Sequence, residues 1–428
     1  MSTSDYKLDA LKAKEKLKTV SPSMCLAKWN QTSLHLPTGL TNSCYHPPLH
    51  KMDAEAVKKN PAALHNTQEK LNQRQQMLQG EQPAGCSYCW NMEKTGEMSD
   101  RHYRSGEPWA MQDFEDIRKN PIDEHWTPRY VEVNFNNACN LKCSYCSPQF
   151  STTWGKEIDR YGQYPTSPPH NAPEHFQGRR KPIPNREDNP YVTAFWKWWP
   201  TLYKNLKHFR MTGGEPMMDK NTYKVLQYII DNPKKDLHLN VTSNMCPADK
   251  KLKDKYFNMA KHICMEEKVE HLMQFVSVDA WGKQAEYIRN GLDFNYMMDN
   301  VEEFLERIPV RNSITFICTY NNLSITSMDK LLEKILELRK KYSKTYQRVW
   351  FDVPLLRQPA WQQITLLPES YQGIHDANIE YMQANSGEEN GLHIFKDFEI
   401  QKMQRNLAHW RENADASTQN KKNFYAFF

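Results

Sequence analysis

Asn137-Ala138-Cys139-Asn140-Leu141-Lys142-Cys143-Ser144-Tyr145-Cys146 places three cysteines at C-x3-C-x2-C spacing within ten residues. One short loop therefore supplies three thiolates. A four-iron, four-sulfur cluster normally takes four cysteine ligands, so three would leave one iron without a protein ligand. An open coordination position separates a catalytic metal site from a structural one. The same spacing also admits a zinc site completed by a remote fourth ligand. The strand-like run Tyr130–Phe135 precedes the loop and would place it at a strand's C-terminal end.

A second feature follows in chain order. Met211-Thr212-Gly213-Gly214-Glu215-Pro216 comes directly after the strand-like His208-Phe209-Arg210. Adjacent glycines let a backbone approach a ligand closely, because neither carries a Cβ. Pro216 can open the next helix, where its missing N–H costs nothing. Read alone, this is also an ordinary strand-to-helix turn.

Together the two motifs resemble those of the radical S-adenosylmethionine (SAM) enzymes, which use the same cysteine spacing with an aromatic residue before the third cysteine, as Tyr145 is here. The resemblance implies a [4Fe-4S] cluster on Cys139, Cys143 and Cys146, with SAM chelated to its open iron and cleaved by one electron to a 5′-deoxyadenosyl radical. It implies that Gly213, Gly214, Glu215 and Pro216 hold the amino group of SAM. It implies further contacts from Ser243 and Asn244 after the third strand, and from Ser277 and Asp279 after the fourth. Tyr287-Ile288-Arg289-Asn290-Gly291 is similar to a segment in which Arg289 would pair with the SAM carboxylate, a match of fork geometry to two oxygens.

Four further cysteines lie upstream: Cys25, Cys44, Cys86 and Cys89. Four thiolates can bind structural zinc or a second iron–sulfur cluster. The C-x13-G-x4-C spacing through Gly39 resembles the twitch auxiliary-cluster domain, the short relative of SPASM, and implies a second [4Fe-4S] cluster, with zinc as the alternative. That domain usually follows the barrel, whereas here it would precede it. No hydrophobic periodicity long enough for a large core is visible in this region, so a metal would help hold it together. The polar segment Asn91–Glu124 reads as a linker.

These residues need elements to position them. Strand-like runs at Tyr130–Phe135, His208–Met211, Leu237–Thr242, Gln274–Val278, Ile314–Thr319 and Val349–Val353 alternate with helical patterns at Asp219–Asp231, Asp293–Ile308 and Ser327–Tyr342. Alternation of this kind predicts parallel βαβ units. The expected fold class is α/β, a partial (β/α)6 barrel preceded by a small cysteine-rich domain, with function at the strands' C-terminal ends. The expected organisation is a polar extension over 1–22, the twitch-like domain over 23–125, the barrel over 126–365 and a helical segment over 366–428. Residues 150–190, rich in Pro, Asn, Gln and Arg, read as an insertion or lid. Phe195-Trp196-Lys197-Trp198-Trp199 reads as a helix packed on the barrel, with substrate stacking as the other reading.

Composition narrows the classes. The 428 residues carry a net charge of +5 without a long basic run, which speaks against nucleic acid as partner. No apolar stretch approaches the roughly 18 residues of a membrane span. The N-terminus lacks the apolar core of a secretory signal, and clustered cysteines suit a reducing compartment, so the expected location is cytoplasmic. The expected partners are SAM, a small-molecule or peptide substrate undergoing oxidation or rearrangement, and an external electron donor. Cys246, Cys264 and Cys318 are read as buried structural thiols, with hydrogen-atom donation as the other role. No residue is singled out as catalytic. The reading from a different class is a non-catalytic iron–sulfur or zinc scaffold or electron carrier, and a third is a nucleic-acid-modifying radical enzyme.

Overall fold

The computed structural model describes residues 3–387 and 391–428, a mixed α/β structure in two compact units. One unit comprises Met1–Asn136 with Lys181–Gly213, and the other Asn137–Arg180 with Gly214–Phe428.

In the first unit, strands Gln31–His35 (β1), Leu40–Asn42 (β2), His50–Lys51 (β3), Tyr130–Asn134 (β4) and His208–Thr212 (β5) pair edge to edge. β4 is central: Tyr130 lies opposite Gln31 of β1 and His208 of β5, both in parallel. β1, β2 and β3 then continue antiparallel. Val131 and Val133 on β4, with Phe209 and Met211 on β5, are buried, the period-2 pattern of a strand with one face in a core. Helix Pro190–Asn205 begins with Pro190 at its first position and with Asn189 accepting from the N–H groups of Tyr191 and Val192. Its Phe195 meets Phe135 at 5.0 Å and its Trp199 meets Phe209 at 4.9 Å. The aromatic run therefore packs a helix onto strands.

Two expectations for the first 125 residues are corrected. A core does exist there: Leu17, Met24, Trp29, Met77, Trp109 and Ile117 are all buried in one cluster. Its members come from short segments far apart in sequence, so no window shows periodicity. Part of Asn91–Glu124 also builds this core rather than linking domains. It forms helices Asp100–Gly106, Pro108–Met111 and Phe114–Lys119, which bury Trp109, Phe114 and Ile117. β1 also pairs with β4, and the first compact unit runs on to Asn136 and takes in Lys181–Gly213.

In the second unit, strands Lys234–Ser243 (β6), Val269–Ser277 (β7), Asn312–Ile317 (β8) and Val349–Asp352 (β9) are parallel neighbours in that order. Helices Lys220–Asp231, Lys250–Met265, Phe294–Arg307 and Met328–Tyr342 connect or follow them. Asp219, Asp249 and Asp293 each accept a backbone N–H at the start of the helix that follows. All six strand-like runs thus form strands, two in the first unit and four in the second. Residues 150–190 contain a helix, Thr152–Tyr161, that the sequence reading missed. Its buried Trp154 and Ile158 are four residues apart, and polar neighbours hide the pattern. Among the described residues no helix is long and apolar enough to cross a membrane.

Candidate metal and cofactor site

The three-cysteine loop is fixed by bonds to its own backbone. Cys143 pairs antiparallel with Arg289 and Lys142 with Asn290, and the Ser144 N–H donates to Ile288 O at 2.8 Å. The start of helix Thr152–Tyr161 supplies further donors. Ser151 Oγ bonds Leu141 O, Thr153 Oγ1 bonds Cys139 O, both at 2.7 Å, and Trp154 Nε1 bonds Cys143 O at 2.8 Å. The carbonyls of Cys139, Leu141 and Cys143 are thus answered from outside the loop. The Leu141 N–H donates to Cys139 Sγ at 3.4 Å, and Arg289 Nη1 donates to Cys143 Sγ at 3.5 Å. Burial pushes the Cys146 thiol up to about 12, with the neighbouring Cys143 adding to it, and pushes Cys139 up further. Burial also raises Cys143, against the charge of Arg289. Ionising these thiols therefore calls for added positive charge, which iron would supply.

Gly213 and Gly214 owe their identity to close approach. Gly213 has φ +121, and a Cβ there would lie 2.1 Å from Asn134 Oδ1. A Cβ on Gly214 would lie 2.2 Å from Ala138 O, the residue before the first cysteine of the loop. The next N–H, of Glu215, donates to that same carbonyl at 2.6 Å. Glu215 itself is 2% exposed. Its carboxylate accepts from the Met217 N–H at 3.0 Å, from Ser243 Oγ at 2.8 Å and from the Asn244 N–H at 2.8 Å. Burial raises its pKa, and these three donors oppose the rise. Pro216 opens the 3-10 turn Pro216–Met218.

Asn244 ties the end of β6 to the cysteine loop: its Nδ2 donates to Asn140 Oδ1 at 3.0 Å, and Asn140 Nδ2 donates to Cys246 O at 2.7 Å. Past β7, Asp279 is fully buried and forms an ion pair with Arg289 at 2.8 Å. Arg289 Nη2 also donates to Asp279 Oδ1 at 3.0 Å and to Tyr145 OH at 2.6 Å, while Tyr145 OH donates to Asp279 Oδ2 at 2.8 Å. The guanidinium expected to await a ligand carboxylate is instead engaged by a protein carboxylate, which turns Nη1 to Cys143. Ser277 closes the β7–β8 register opposite Ile317. Sequence reasoning missed Asn140, Ser151, Thr153 and the Tyr145 hydroxyl. The Ser-Thr-Thr-Trp run after the loop was the available signal. Cys246, Cys264 and Cys318 are buried, and each donates to a backbone carbonyl, of Asp293, Arg311 and Asp279 respectively.

In the first unit, Cys25, Cys44, Cys86 and Cys89 line one cavity of about 20 Å3, with Lys28 and Arg101 beside them. Burial, then the neighbouring Cys44, Cys89 and Cys86, pushes Cys25 up to about 12, and burial pushes Cys89 up to about 11. Gly39, the glycine of the spacing, has φ +63 in the turn between β1 and β2, and a Cβ there would meet the Tyr191 ring at 2.3 Å. Three buried cations of this unit hydrogen-bond to neutral partners, and Lys28 and Lys70 lie near Cys44. Lys28 Nζ donates to Gln73 Oε1, Lys70 Nζ to the hydroxyls of Thr32 and Thr41, and Arg74 Nη1 to Asn66 Oδ1. Four soft donors beside Lys28 and Lys70 fit an anionic metal–thiolate group. Among the described residues no three His, Cys, Asp or Glu side chains converge as ligands to a single ion.

No protein-family model and no curated protein matches the sequence. Among solved structures the chain is similar to native anSMEcpe with bound AdoMet and Cp18Cys peptide, at 14% identity and TM-score 0.35, over 58% of each chain. It is also similar to SuiB of Streptococcus suis, at 12% identity and TM-score 0.40, over 88% of this chain and 72% of that one. SuiB bound to precursor peptide SuiA matches at 12% identity and TM-score 0.41, over 82% and 67%. The chain spans 58% of the length of the anSMEcpe chain. At these TM-scores none of the likenesses supports an assignment of fold or function.

Proposed function

We propose that this chain is a radical SAM enzyme. The observation that carries the reading is the packing of the Gly-Gly-Glu-Pro turn on the cysteine loop, with Gly214 against Ala138 and the Glu215 N–H on the same carbonyl. An electron carrier needs no such turn. Cys139, Cys143 and Cys146 would hold a [4Fe-4S] cluster with one iron open to SAM. When bound, the cluster and SAM supply a 5′-deoxyadenosyl radical that takes a hydrogen atom from the substrate. The chain's own residues bind and orient. Glu215, held by Ser243 and Asn244, presents a fixed negative charge for the SAM amino group. Asp279 fixes Arg289, and Arg289 places a positive charge beside Cys143, so Arg289 acts here as a positioning residue. Ser277 and Asn244 offer small polar groups at strand ends. The six strands would form the partial (β/α)6 barrel. Cys25, Cys44, Cys86 and Cys89 would hold a second [4Fe-4S] cluster, with zinc as the alternative. An external donor would supply the electron, and the substrate would be a small molecule or peptide that is oxidised or rearranged.

The test is anaerobic reconstitution of the chain beside a Cys139→Ala/Cys143→Ala/Cys146→Ala variant. About eight irons should fall to about four, and reductant-driven formation of 5′-deoxyadenosine should disappear. Full iron without 5′-deoxyadenosine would make the chain a non-catalytic iron–sulfur protein. Zinc retained in the variant would make the upstream site structural.

A further inference from the structure

We propose that the cavity beside Cys146 in the second unit binds a small organic anion, through Arg180 and His175 at its charged end and Phe176 and Trp361 on its apolar walls. It has a volume of about 410 Å3, within the size range of small-molecule sites. Tyr145 and Cys146 form part of its lining, so an occupant lies against the third cysteine. Glu215, proposed above to meet the SAM amino group, and Ser243, Asn244, Asp279 and Arg289, which position Glu215 or the cysteine loop, are not in that lining. The cavity is therefore a second site beside the first.

Charge selects the occupant. None of the described lining residues is an aspartate or glutamate, and the ionisable side chains beyond Tyr145 and Cys146 are His170, His175 and Arg180. Arg180 takes part in no ion pair among the described residues, which leaves a planar fork matched to a carboxylate or a phosphate. The amides of Gln149, Asn171 and Gln358 also line the space and can bond polar atoms along the ligand. His170 adds a directional group. One ring nitrogen bonds the Ser144 backbone, burial holds the ring's pKa down to about 4, and Nε2 is buried without a partner. A neutral imidazole in that state accepts from a ligand O–H or N–H.

The walls are preformed. Asn423 on helix Thr418–Phe427 accepts from the Ser167 N–H at 2.8 Å and donates to Ser167 O at 2.9 Å, which closes one side. Phe427 meets Trp361 at 4.5 Å with the rings tilted, and Trp361 meets His170 at 5.4 Å. Such walls cost little ordering when a ligand enters. The inference rests on the enzyme reading only in making this anion the substrate.

The experiment is ligand-observed fluorine NMR on the anaerobically reconstituted full chain with four probes: 4-fluorobenzoate, 4-fluorophenyl phosphate, 4-fluorobenzamide and 4-fluorobenzylamine. Both anions should bind about tenfold tighter than the amide, and the amine should not bind. The tighter anion identifies the head group as carboxylate or phosphate. Arg180→Gln should weaken the anions about tenfold and erase their advantage over the amide. Phe176→Ala should weaken every probe that binds. Equal binding of amide and anion, no binding of either anion, or anion binding that survives Arg180→Gln/His175→Gln would overturn the site. Iron content and 5′-deoxyadenosine formation, measured on the same samples, separate a failure of the enzyme reading from a failure of this one.

Discussion

In the first unit four cysteines share a cavity with Lys28, Asp100 and Arg101, and among the described residues Lys28 and Lys70 donate to amide and hydroxyl oxygens alone. In the second unit Arg289 donates to one of the three cysteines, Cys143, and Asp279 already matches it at 2.8 Å. Both sites bury thiols, yet the cations beside them are answered differently. A buried cation without a counter-ion carries several kcal/mol of desolvation. A metal–thiolate cluster bound at the first site would offset such cations, whereas in the second Asp279 already answers Arg289. The difference teaches that two cysteine sets of similar size can have the cations beside them answered in different ways.

The largest effect that would break the comparison is steric. Gly214→Ala should push the turn off Ala138, lose about four irons and abolish 5′-deoxyadenosine formation, while the first unit keeps its metal. Iron analysis and electron paramagnetic resonance decide it, and a fully loaded variant would show the packing to be incidental. Next is Asp279→Asn, which strands a buried guanidinium and should cost about 3–5 kcal/mol in denaturant unfolding of the metal-free chain. Asp279→Asn/Arg289→Met should recover most of that loss.

Lys28→Met probes the opposite balance. It removes a buried cation with no ion-pair partner among the described residues, so the metal-free chain should gain about 1–2 kcal/mol while metal release to a chelator becomes faster. A loss as large as that of Asp279→Asn would erase the contrast between the units.

Acid should distinguish the units least. Burial, then Lys70 and Lys28, holds His50 of the first unit down to about 3; burial, then His238 and Arg348, holds His271 of the second down to about 4. Unfolded, both titrate near 6.5. Between those values only the unfolded chain binds the proton, so stability falls as pH drops from 6.5. Each histidine should account for about 2 kcal/mol between pH 7 and pH 5. Thermal melts at the two pH values should flatten in His271→Gln and His50→Gln to similar extents.

Local signals are what a chain carries in its own order. The six strands, the aspartate at the start of helix Lys220–Asp231 and the spacing of Cys139, Cys143 and Cys146 were all legible, because period-2 burial, capping and loop spacing act over a few residues. The helix Thr152–Tyr161 and the core of the first unit were not. One is masked by polar neighbours, and the other is assembled from residues as far apart as Leu17 and Ile117. Only the tertiary structure brought Cys25, Cys44, Cys86 and Cys89 to one cavity, turned Arg289 from a free fork into the partner of Asp279, and set Arg180 and Trp361 around one space. Spacing can nominate a ligand or a cation, but its burial and its counter-charge come from segments the chain returns to later, and those decide what it can bind.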